Sequence, residues 1–298
     1  MMMKQQYLVG GNVFSVTVPD NLHVWQILQQ RYAPFVSTEA IKPVLEVEIR
    51  TEEELPESQG ERICEPVPTG IGMIVTSRKG DGSLVMEFVQ KDQSHRRLLM
   101  TMPAQRDRAE IVLVAERDGY DSLFLTHAMM IAYLVSTSEN GTLMIHASTV
   151  LYEGKAYMFQ GKSGTGKSTH ASLWLANIPG AELLNDDHPI IRLTEDGTAM
   201  AYGAPWSGKT HCYRNIAAPI GAMVRIGRSQ TNELRRLQPL QAYASLITSV
   251  GTMPFLSKES REIRHRTIER LAGAVPCCEM HCRPDADAAL TCMTALTK

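Results

Sequence analysis

The residues of this sequence with the clearest chemical potential form one glycine-rich run, Gly161–Ser168. It reads Gly-Lys-Ser-Gly-Thr-Gly-Lys-Ser and matches the phosphate-binding pattern G-x-x-x-x-G-K-[ST] at every constrained position. In such a loop the glycines let successive backbone N–H groups converge on a phosphate, and no side chain obstructs its approach. The run predicts a bound nucleoside triphosphate. The alternative is a glycine-rich connector that only turns the chain.

The side chains that end this run have distinct expected roles. Lys167 reaches the β- and γ-phosphates, and the hydroxyl of Ser168 is a ligand for Mg²⁺. A helix that begins near Lys167 points its positive end at the anion, and Thr169 supports the start of that helix. We therefore predict ATP and Mg²⁺ as cofactors. The predicted nucleotide-binding residues are Gly161, Lys162, Ser163, Gly164, Thr165, Gly166, Lys167, Ser168 and Thr169.

Two carboxylates follow the motif at the end of a short apolar run, residues 181–187. The intervening chain is long enough for one helix and a return loop, so the pair occupies a Walker-B-like position. One of Asp186 and Asp187 would hold Mg²⁺, and the other could accept the proton of an acceptor hydroxyl. The sequence does not decide between them, and we take Asp186 with Ser168 as the metal set. The alternative is an Asp-Asp turn before Pro189.

A predicted hairpin brings a histidine to the same loop. Residues 143–152 and 155–160 flank the two-residue turn Glu153-Gly154. A two-residue turn fixes the pairing register, and counting back from it sets His146 against Gly161. We therefore predict that His146 belongs to the site. The alternative is a histidine that only packs in the core.

A second hairpin, 190–193 with 199–202, is predicted after the carboxylates, so the sheet is mixed, unlike the parallel series of a Ras-like GTPase. Three segments, His146-Ala147-Ser148, Gly161–Thr169 and Asn185-Asp186-Asp187, together resemble the catalytic core of HPr kinase/phosphorylase and its relatives. Their P-loop fold is shared with ATP-dependent phosphoenolpyruvate carboxykinase. The resemblance covers residues 143–193 well and the remaining C-terminal part more loosely.

The resemblance implies an α/β fold, with an HPr kinase/phosphoenolpyruvate carboxykinase-like P-loop domain built on a mixed sheet. It implies active-site roles for His146, Asp186 and Asp187, and, because the resembled kinases are hexameric, a homo-oligomer. The sequence also departs from the family. The Glu-Ile-Arg-Gly-Leu-Gly signature of HPr kinases is absent from the corresponding stretch, 202–215, so HPr is not supported as a substrate. The chain is much shorter than a carboxykinase.

We predict a Mg²⁺-dependent ATP kinase that moves the γ-phosphate to a hydroxyl acceptor, either a protein serine or a small molecule. The predicted catalytic residues are His146, Lys167, Asp186 and Asp187. Two alternatives stay open: a non-catalytic ATP-binding scaffold or sensor that docks a partner protein, and a plain ATPase.

The part of the chain before these motifs has a different sequence pattern. Residues 7–117 contain short β-rich runs separated by polar breaks, which predicts an antiparallel sheet interrupted by a helix around 22–32. A turn at 118–121 then leads into an apolar helix. We place the boundary there, which gives a β-rich N-terminal domain, 1–118, and an HPr-kinase-like nucleotide-binding domain, 119–298.

Composition limits the function classes. The 298 residues are 44% apolar and 21% charged, as in ordinary folded proteins. Thirty Lys and Arg against 32 Asp and Glu give a net charge of −2, which argues against a nucleic-acid partner. The longest apolar stretch, 123–135, is too short to span a bilayer, so no membrane partner is expected. No export signal is visible and the cysteines do not form a spaced disulfide framework, so we expect a cytoplasmic protein.

Two further sequence features could be functional, but each also has a purely structural interpretation. The loop 205–209, with Trp206 and Lys209, could close over an acceptor or simply hold a packed tryptophan. Cys277, Cys278, His281 and Cys282 contain zinc-ligand side chains, but only one cluster is present, so a buried strand over 275–282 is favoured.

Overall fold

The computed structural model describes residues 1–91, 95–114, 121–208, 210–251 and 253–297. The chain forms two compact units, Met1–Thr137 with Met253–Ser257, and Ser138–Thr252 with Lys258–Lys298. Asp121, the last residue of the predicted turn at 118–121, begins a helix, whereas residues 118–120 and the predicted boundary between 118 and 119 lie outside the described residues. The apolar helix that follows them belongs to the first unit.

The first unit is a sheet packed against two helices. Its elements are β1 Met2–Val9, β2 Asn12–Pro19, α1 His23–Tyr32, β3 Val36–Ser37, β4 Leu45–Glu52, β5 Glu61–Arg62, β6 Val67–Pro68, β7 Gly72–Arg78, β8 Leu84–Gln90, β9 Arg96–Met102, β10 Arg108–Val114 and α2 Asp121–Ser136. The strand order is β3-β1-β2-β4-β10-β9-β8-β7-β5, and β6 pairs with β7.

The predicted antiparallel character of this sheet is wrong at one strand. β4 pairs in parallel with both β2 and β10, so the sheet is mixed. The physical reason is the connection: α1 lies between β2 and β4, and a crossover of that length lets two neighbouring strands run in the same direction. The predicted apolar helix is confirmed as α2, whose buried Tyr133 donates a hydrogen bond to the carbonyl of Val9 at 2.8 Å.

The second unit contains the glycine-rich run. Its elements are β11 Leu143–Met144, β12 Ala147–Tyr152, β13 Lys155–Gln160, α3 Lys167–Asn177, β14 Glu182–Asp187, β15 Ile190–Leu193, β16 Ala199–Tyr202, β17 Ala217–Arg228, β18 Glu233–Arg236, α4 Pro239–Val250, α5 Lys258–Ala274, β19 Cys277–Cys282 and α6 Ala286–Thr297. The strand order is β11-β15-β16-β17-β13-β12-β14, and β19 pairs with β17 and β18.

The predicted hairpins of this unit are confirmed. In the first hairpin Tyr152 pairs with Lys155, and the ladder continues back to Ala147 opposite Gln160. In the second, β15 and β16 pair over 190–193 and 199–202. Of the predicted strand 275–282, residues 277–282 form β19, which pairs in parallel with β17 and buries all of its side chains except Glu279 and His281.

Helices cover both faces of the central strands. Along β13, Ala156 and Met158 pack with residues of α4 and α5 on one face, whereas Tyr157 and Phe159 pack with α3 and α6 on the other. This alternation follows from the two-residue period of a strand, and the helices on both faces account for its continuous apolar sequence. The unit is an α/β structure with a mixed sheet. Among the described residues, none of the helices has the length and apolar character that crossing a membrane requires.

Candidate active site

One position in β12 explains why the candidate residues meet. Ala147 pairs with Gln160 of β13 on one side and with Asp187 of β14 on the other. Because β12 is antiparallel to both neighbours, β13 and β14 run in the same direction and end at the same edge of the sheet. The glycine-rich run, the two carboxylates and His146 therefore lie together at that edge.

The backbone of the run adopts conformations that need glycine. Gly161 has a φ of +148°, and a Cβ there would stand 2.8 Å from the Oγ1 of Thr165. Gly166 has a φ of +110° in the residue before α3. Side-chain-bearing residues rarely adopt these angles, so the glycines permit a sharp turn from β13 into the helix. The Thr165 hydroxyl donates to the carbonyl of Lys162 at 2.8 Å and holds the turn closed.

Lys167 is the first residue of α3 and is buried beneath this turn. Its Nζ donates to the carbonyl of Gly161 at 3.1 Å and to that of Lys162 at 3.3 Å, and it lies 2.8 Å from Nε2 of His146. Burial lowers the pKa of Lys167, although the nearby carboxylates of Asp187 and Asp186 oppose that shift. The ammonium thus sits at the loop with carbonyl and imidazole acceptors.

The two aspartates make different contacts. The hydroxyl of Ser168 donates to Oδ1 of Asp186 at 2.9 Å, and Asp186 is almost fully buried. Asp187 is turned toward two imidazoles instead: Nδ1 of His146 is 2.8 Å from its Oδ1, and Nδ1 of His188 is 3.2 Å from its Oδ2. The alternative that the pair forms only an Asp-Asp turn does not describe this arrangement, because each carboxylate contacts a different part of the site.

Hydrogen bonding fixes where the protons lie in the cluster formed by His146, Asp187 and His188. An ammonium can only donate, so Nε2 of His146 accepts from Lys167 and the proton of the neutral ring resides on Nδ1, facing Asp187. Burial by itself would raise the pKa of Asp187, but hydrogen bonds from His146 and His188 outweigh it and hold that pKa well below its usual range. Asp187 therefore stays charged and orients the imidazole.

The backbone at Asp187 is unusual as well. Its φ is +129°, a region disfavoured for any residue with a Cβ, and such conformations concentrate at functional sites. The loop after β16 packs on this position: the amide of Gly208 donates to the carbonyl of Asp186 at 2.5 Å, and the Ser207 hydroxyl donates to the same oxygen at 3.0 Å. A Cβ at Gly208 would stand 3.1 Å from the Cβ of Asp187, so glycine allows the close approach.

These groups border a cavity of about 780 Å³. Its wall includes the candidate residues His146, Lys167, Ser168, Asp186 and Asp187 together with Ser163, Gly164, Gly166 and Thr169 of the nucleotide-binding prediction. Gly161, Lys162 and Thr165 belong to the same loop. All of the predicted site residues thus converge on one edge of the second unit.

Two sets of side chains could hold a metal ion. Ser168 and Asp186 offer a hydroxyl and a carboxylate already in contact, and hard oxygen donors of this kind suit Mg²⁺. His146, Asp187 and His188 offer ligand atoms within 4.8 Å of one another, a nitrogen and oxygen set that suits a transition metal. Within the described residues, the cysteines of β19 do not form such a group.

Sequence reasoning missed three contributors to the site. His188 directly follows the two aspartates, and its closeness to them was the available signal. Arg228 ends β17 and donates to the carbonyl of Gly164, but it reaches the loop through the parallel pairing of β13 with β17, which leaves no local signal. Gly208 lies in the 205–209 loop. In that loop Trp206 is buried, and Lys209 lies outside the described residues.

Arg214 lies between β16 and β17 and contacts β14. Its guanidinium pairs with Glu182 at 2.8 Å and donates to the carbonyl of Leu183 at 2.7 Å, so it stabilises the start of β14.

The chain was compared with protein-family models and with curated proteins. No family model and no curated protein matches it.

Proposed function

We propose that this chain is a Mg²⁺-dependent ATP phosphotransferase that moves the γ-phosphate to a hydroxyl group of a protein serine or a small molecule. One observation carries the proposal. A glycine-rich loop with a buried lysine shares a single cavity with a serine–aspartate pair and with an imidazole oriented by a second aspartate. The motif-level resemblance to HPr kinase/phosphorylase supports the same activity.

Phosphate binding is the first task, and the loop is suited to it. Backbone amides at the start of α3 carry the positive end of the helix dipole, which favours an anion there. The hydrogen-bond partners of Lys167 are two carbonyl oxygens and a ring nitrogen, and none of them is an anion. Its ammonium can therefore exchange them for phosphate oxygens and gain a charge-assisted hydrogen bond.

Metal binding is the second task, and we assign it to the serine–aspartate pair beside the loop. Ser168 and Asp186 would hold Mg²⁺, which when bound neutralises charge on the β- and γ-phosphate oxygens. Asp186 suits this role because its carboxylate contacts Ser168 and makes no ion pair with the imidazoles that engage Asp187. The structure thereby supports a division of labour between the adjacent aspartates.

Proton transfer is assigned to His146, with Asp187 as its positioning residue. Once phosphate draws Lys167 away, Nε2 of His146 is free to accept a proton. The acceptor oxygen then bonds to the γ-phosphorus, the bond from phosphorus to the β,γ-bridging oxygen breaks, the hydroxyl proton moves to Nε2, and ADP leaves. Asp187 accepts the hydrogen bond from the Nδ1–H of His146 throughout and stabilises the imidazolium that forms. Its depressed pKa makes it a weak base, which favours this assignment.

Incubation with γ-labelled ATP, Mg²⁺ and cell extract tests the proposal. We expect label to appear in a protein or a small hydroxyl compound with the native chain and not with Lys167→Met. Steady release of labelled phosphate in buffer, with no labelled acceptor, would identify an ATPase. ATP binding in calorimetry without any turnover would identify a scaffold or sensor, and either result would overturn the kinase assignment.

A further inference from the structure

His188 lies beside the candidate catalytic residues, but the proposed reaction gives it no task. Its Nδ1 is 3.2 Å from Oδ2 of Asp187, and its ring centroid is 5.8 Å from that of His146. The side chain is half-buried and does not line the cavity of about 780 Å³. His188 is therefore placed to act on Asp187 and not on a ligand in that cavity.

The two oxygens of the Asp187 carboxylate have different partners. Nδ1 of His146 lies 2.8 Å from Oδ1, and among the residues that the structure describes His188 is the only side chain that bonds Oδ2. An ionised carboxylate only accepts hydrogen bonds, so Nδ1 of each ring carries a proton that faces Asp187. His146 precedes β12 and His188 follows β14. The carboxylate is thus held by N–H donors from two separate segments of the chain.

Little else fixes the orientation of this carboxylate. The last torsion of an aspartate side chain is broad, so the carboxylate rotates at little cost. The side chain is 29% exposed, so water competes for its oxygens. The ammonium of Lys167, which contacts His146, also attracts it. A carboxylate held at Oδ1 alone is free to turn toward either, and the Nδ1–H of His146 would then lose its acceptor.

His188 is itself anchored by the chain around it. Its backbone amide donates to Oδ1 of Asn185 at 3.0 Å. Asn185 is fully buried, and its Nδ2 donates to the carbonyls of Ala204 at 3.3 Å and Trp206 at 3.2 Å. Pro189 follows, and a proline restricts the residue before it to extended conformations. The backbone that carries the His188 imidazole is therefore held on both sides.

We infer that His188 is a positioning residue, which holds the Asp187 carboxylate in line with His146 through the hydrogen bond to Oδ2. The inference rests on the proposed function, since it takes His146 to be the group that accepts the hydroxyl proton. It adds a third side chain to the pair, and it requires an N–H donor at position 188 and not a second base. Loss of that donor should slow turnover without weakening nucleotide binding.

Three variants separate the hydrogen bond from the rest of the side chain. His188→Leu removes the donor. His188→Asn keeps one, because the amide nitrogen of asparagine takes nearly the place of Nδ1. His265→Leu is the control, since His265 is exposed and does not line the cavity.

Transfer of label from γ-labelled ATP in cell extract, measured against ATP concentration, gives kcat and KM. We expect His188→Leu to lower kcat about tenfold or more, because the imidazole is misplaced, while KM for ATP stays within about threefold of the native value. His188→Asn should recover kcat to within about threefold of the native value. His265→Leu should change neither constant.

Nuclear magnetic resonance of the histidine rings tests the same contact without turnover. The chain is isotope-labelled at its histidine ring nitrogens and observed at neutral pH without nucleotide, and the Nδ1 proton of His146 is assigned by its loss in His146→Gln. This proton should exchange with water about tenfold faster in His188→Leu than in the native chain. In His188→Asn its exchange should be close to native.

Native values of kcat and of proton exchange in a folded His188→Leu would overturn the inference. An equal loss of kcat in His188→Leu and His188→Asn would also overturn it, because an N–H donor would then not be what the site requires. If the native chain transfers no label, the proposed function fails, and proton exchange at His146 still decides whether His188 holds Asp187. If thermal melting shows that His188→Leu is unfolded, His188→Ala takes its place, since it also removes the donor.

Discussion

The two flanks of the glycine-rich loop, one toward β14 and one toward β17 and β19, differ in the polarity of their side chains. On the β14 flank, Asp186 is hydrogen-bonded to Ser168 and Asp187 is hydrogen-bonded to His146, and the backbone itself is strained at Asp187. On the β17 and β19 flank, Leu173, Ile226 and Pro284 border a cavity of about 370 Å³ together with Arg228 and Arg283, and the buried His170 is neutral. The same sheet edge therefore carries titratable groups on one side of the loop and a mostly apolar surface on the other. Mutations on the two flanks should therefore have separable effects.

Lys167→Met removes the cation that both flanks share. We expect nucleotide binding and turnover to be abolished together, with at least about a thousandfold loss of turnover, because charge stabilisation of the transferring phosphoryl group is lost. Calorimetry and γ-phosphate transfer measure the two effects. Lys155→Met is the control, an exposed lysine at the start of β13 that does not line the cavity. Unchanged ATP affinity in Lys167→Met would contradict the role of the loop.

Asp187→Asn tests the β14 flank by itself. The amide would present an N–H to one of the histidines and disturb the tautomer of His146, so turnover should fall about a hundredfold or more. Nucleotide affinity should change less than about threefold. Steady-state kinetics and calorimetry separate these quantities, with Glu182→Gln at the exposed start of β14 as the control. An equal loss of affinity and turnover would assign Asp187 to binding.

On the opposite flank, the neutral His170 should make the unfolding free energy depend on pH. Its folded pKa is about 4, against 6.5 for an ordinary histidine, so between these values the unfolded chain binds the extra proton. Stability from this group is complete above pH 6.5 and is lost as the pH falls toward 4. From pH 7 to 5 the native chain should lose about 2 kcal/mol of unfolding free energy, about thirtyfold in the equilibrium constant, that His170→Gln does not lose.

Urea unfolding at the two pH values measures this difference. His265→Gln serves as the control, because His265 is exposed in the same unit. The readout is the change with pH and not the absolute stability, since a buried substitution shifts the latter in any case. Identical pH dependence of the native chain and His170→Gln would show that His170 is charged in the folded state.

Asp186→Asn tests whether Asp186, and not Asp187, holds Mg²⁺. It has the smallest expected effect of these variants. Losing the charge beside Ser168 should raise the Mg²⁺ concentration for half-maximal activity about tenfold, because an amide is a weaker ligand than a carboxylate. A Mg²⁺ titration of activity checks this, and Asp187→Asn is the comparison. If Asp187→Asn raised the Mg²⁺ requirement and Asp186→Asn did not, the two assignments would be exchanged.

The β14 flank could be predicted from the sequence because its signals are local. A two-residue turn at Glu153-Gly154 fixes the β12–β13 register, and that register set His146 beside Gly161. The end of β14 was marked by its carboxylates. The different roles of Asp186 and Asp187 could not be predicted, because they depend on which face each side chain takes and on the positive φ of Asp187.

The opposite flank could not be predicted, because it is assembled by long-range pairing. β13 meets β17, and β17 meets β19, through parallel contacts between segments far apart in sequence. No turn signal specifies such pairs. The same limit produced the error in the first unit, where short strands with polar breaks suggested an antiparallel sheet although β4 is parallel to both neighbours.

The proposed phosphotransfer requires a nucleotide that lies across the loop with its γ-phosphate toward β14. A crystal structure with Mg²⁺ and a nonhydrolysable ATP analogue would show this arrangement. We expect phosphate oxygens within hydrogen-bond distance of Lys167 Nζ and the γ-phosphate facing His146 and Asp187. A nucleotide that runs in the reverse direction, or that binds away from Gly161–Ser168, would contradict it.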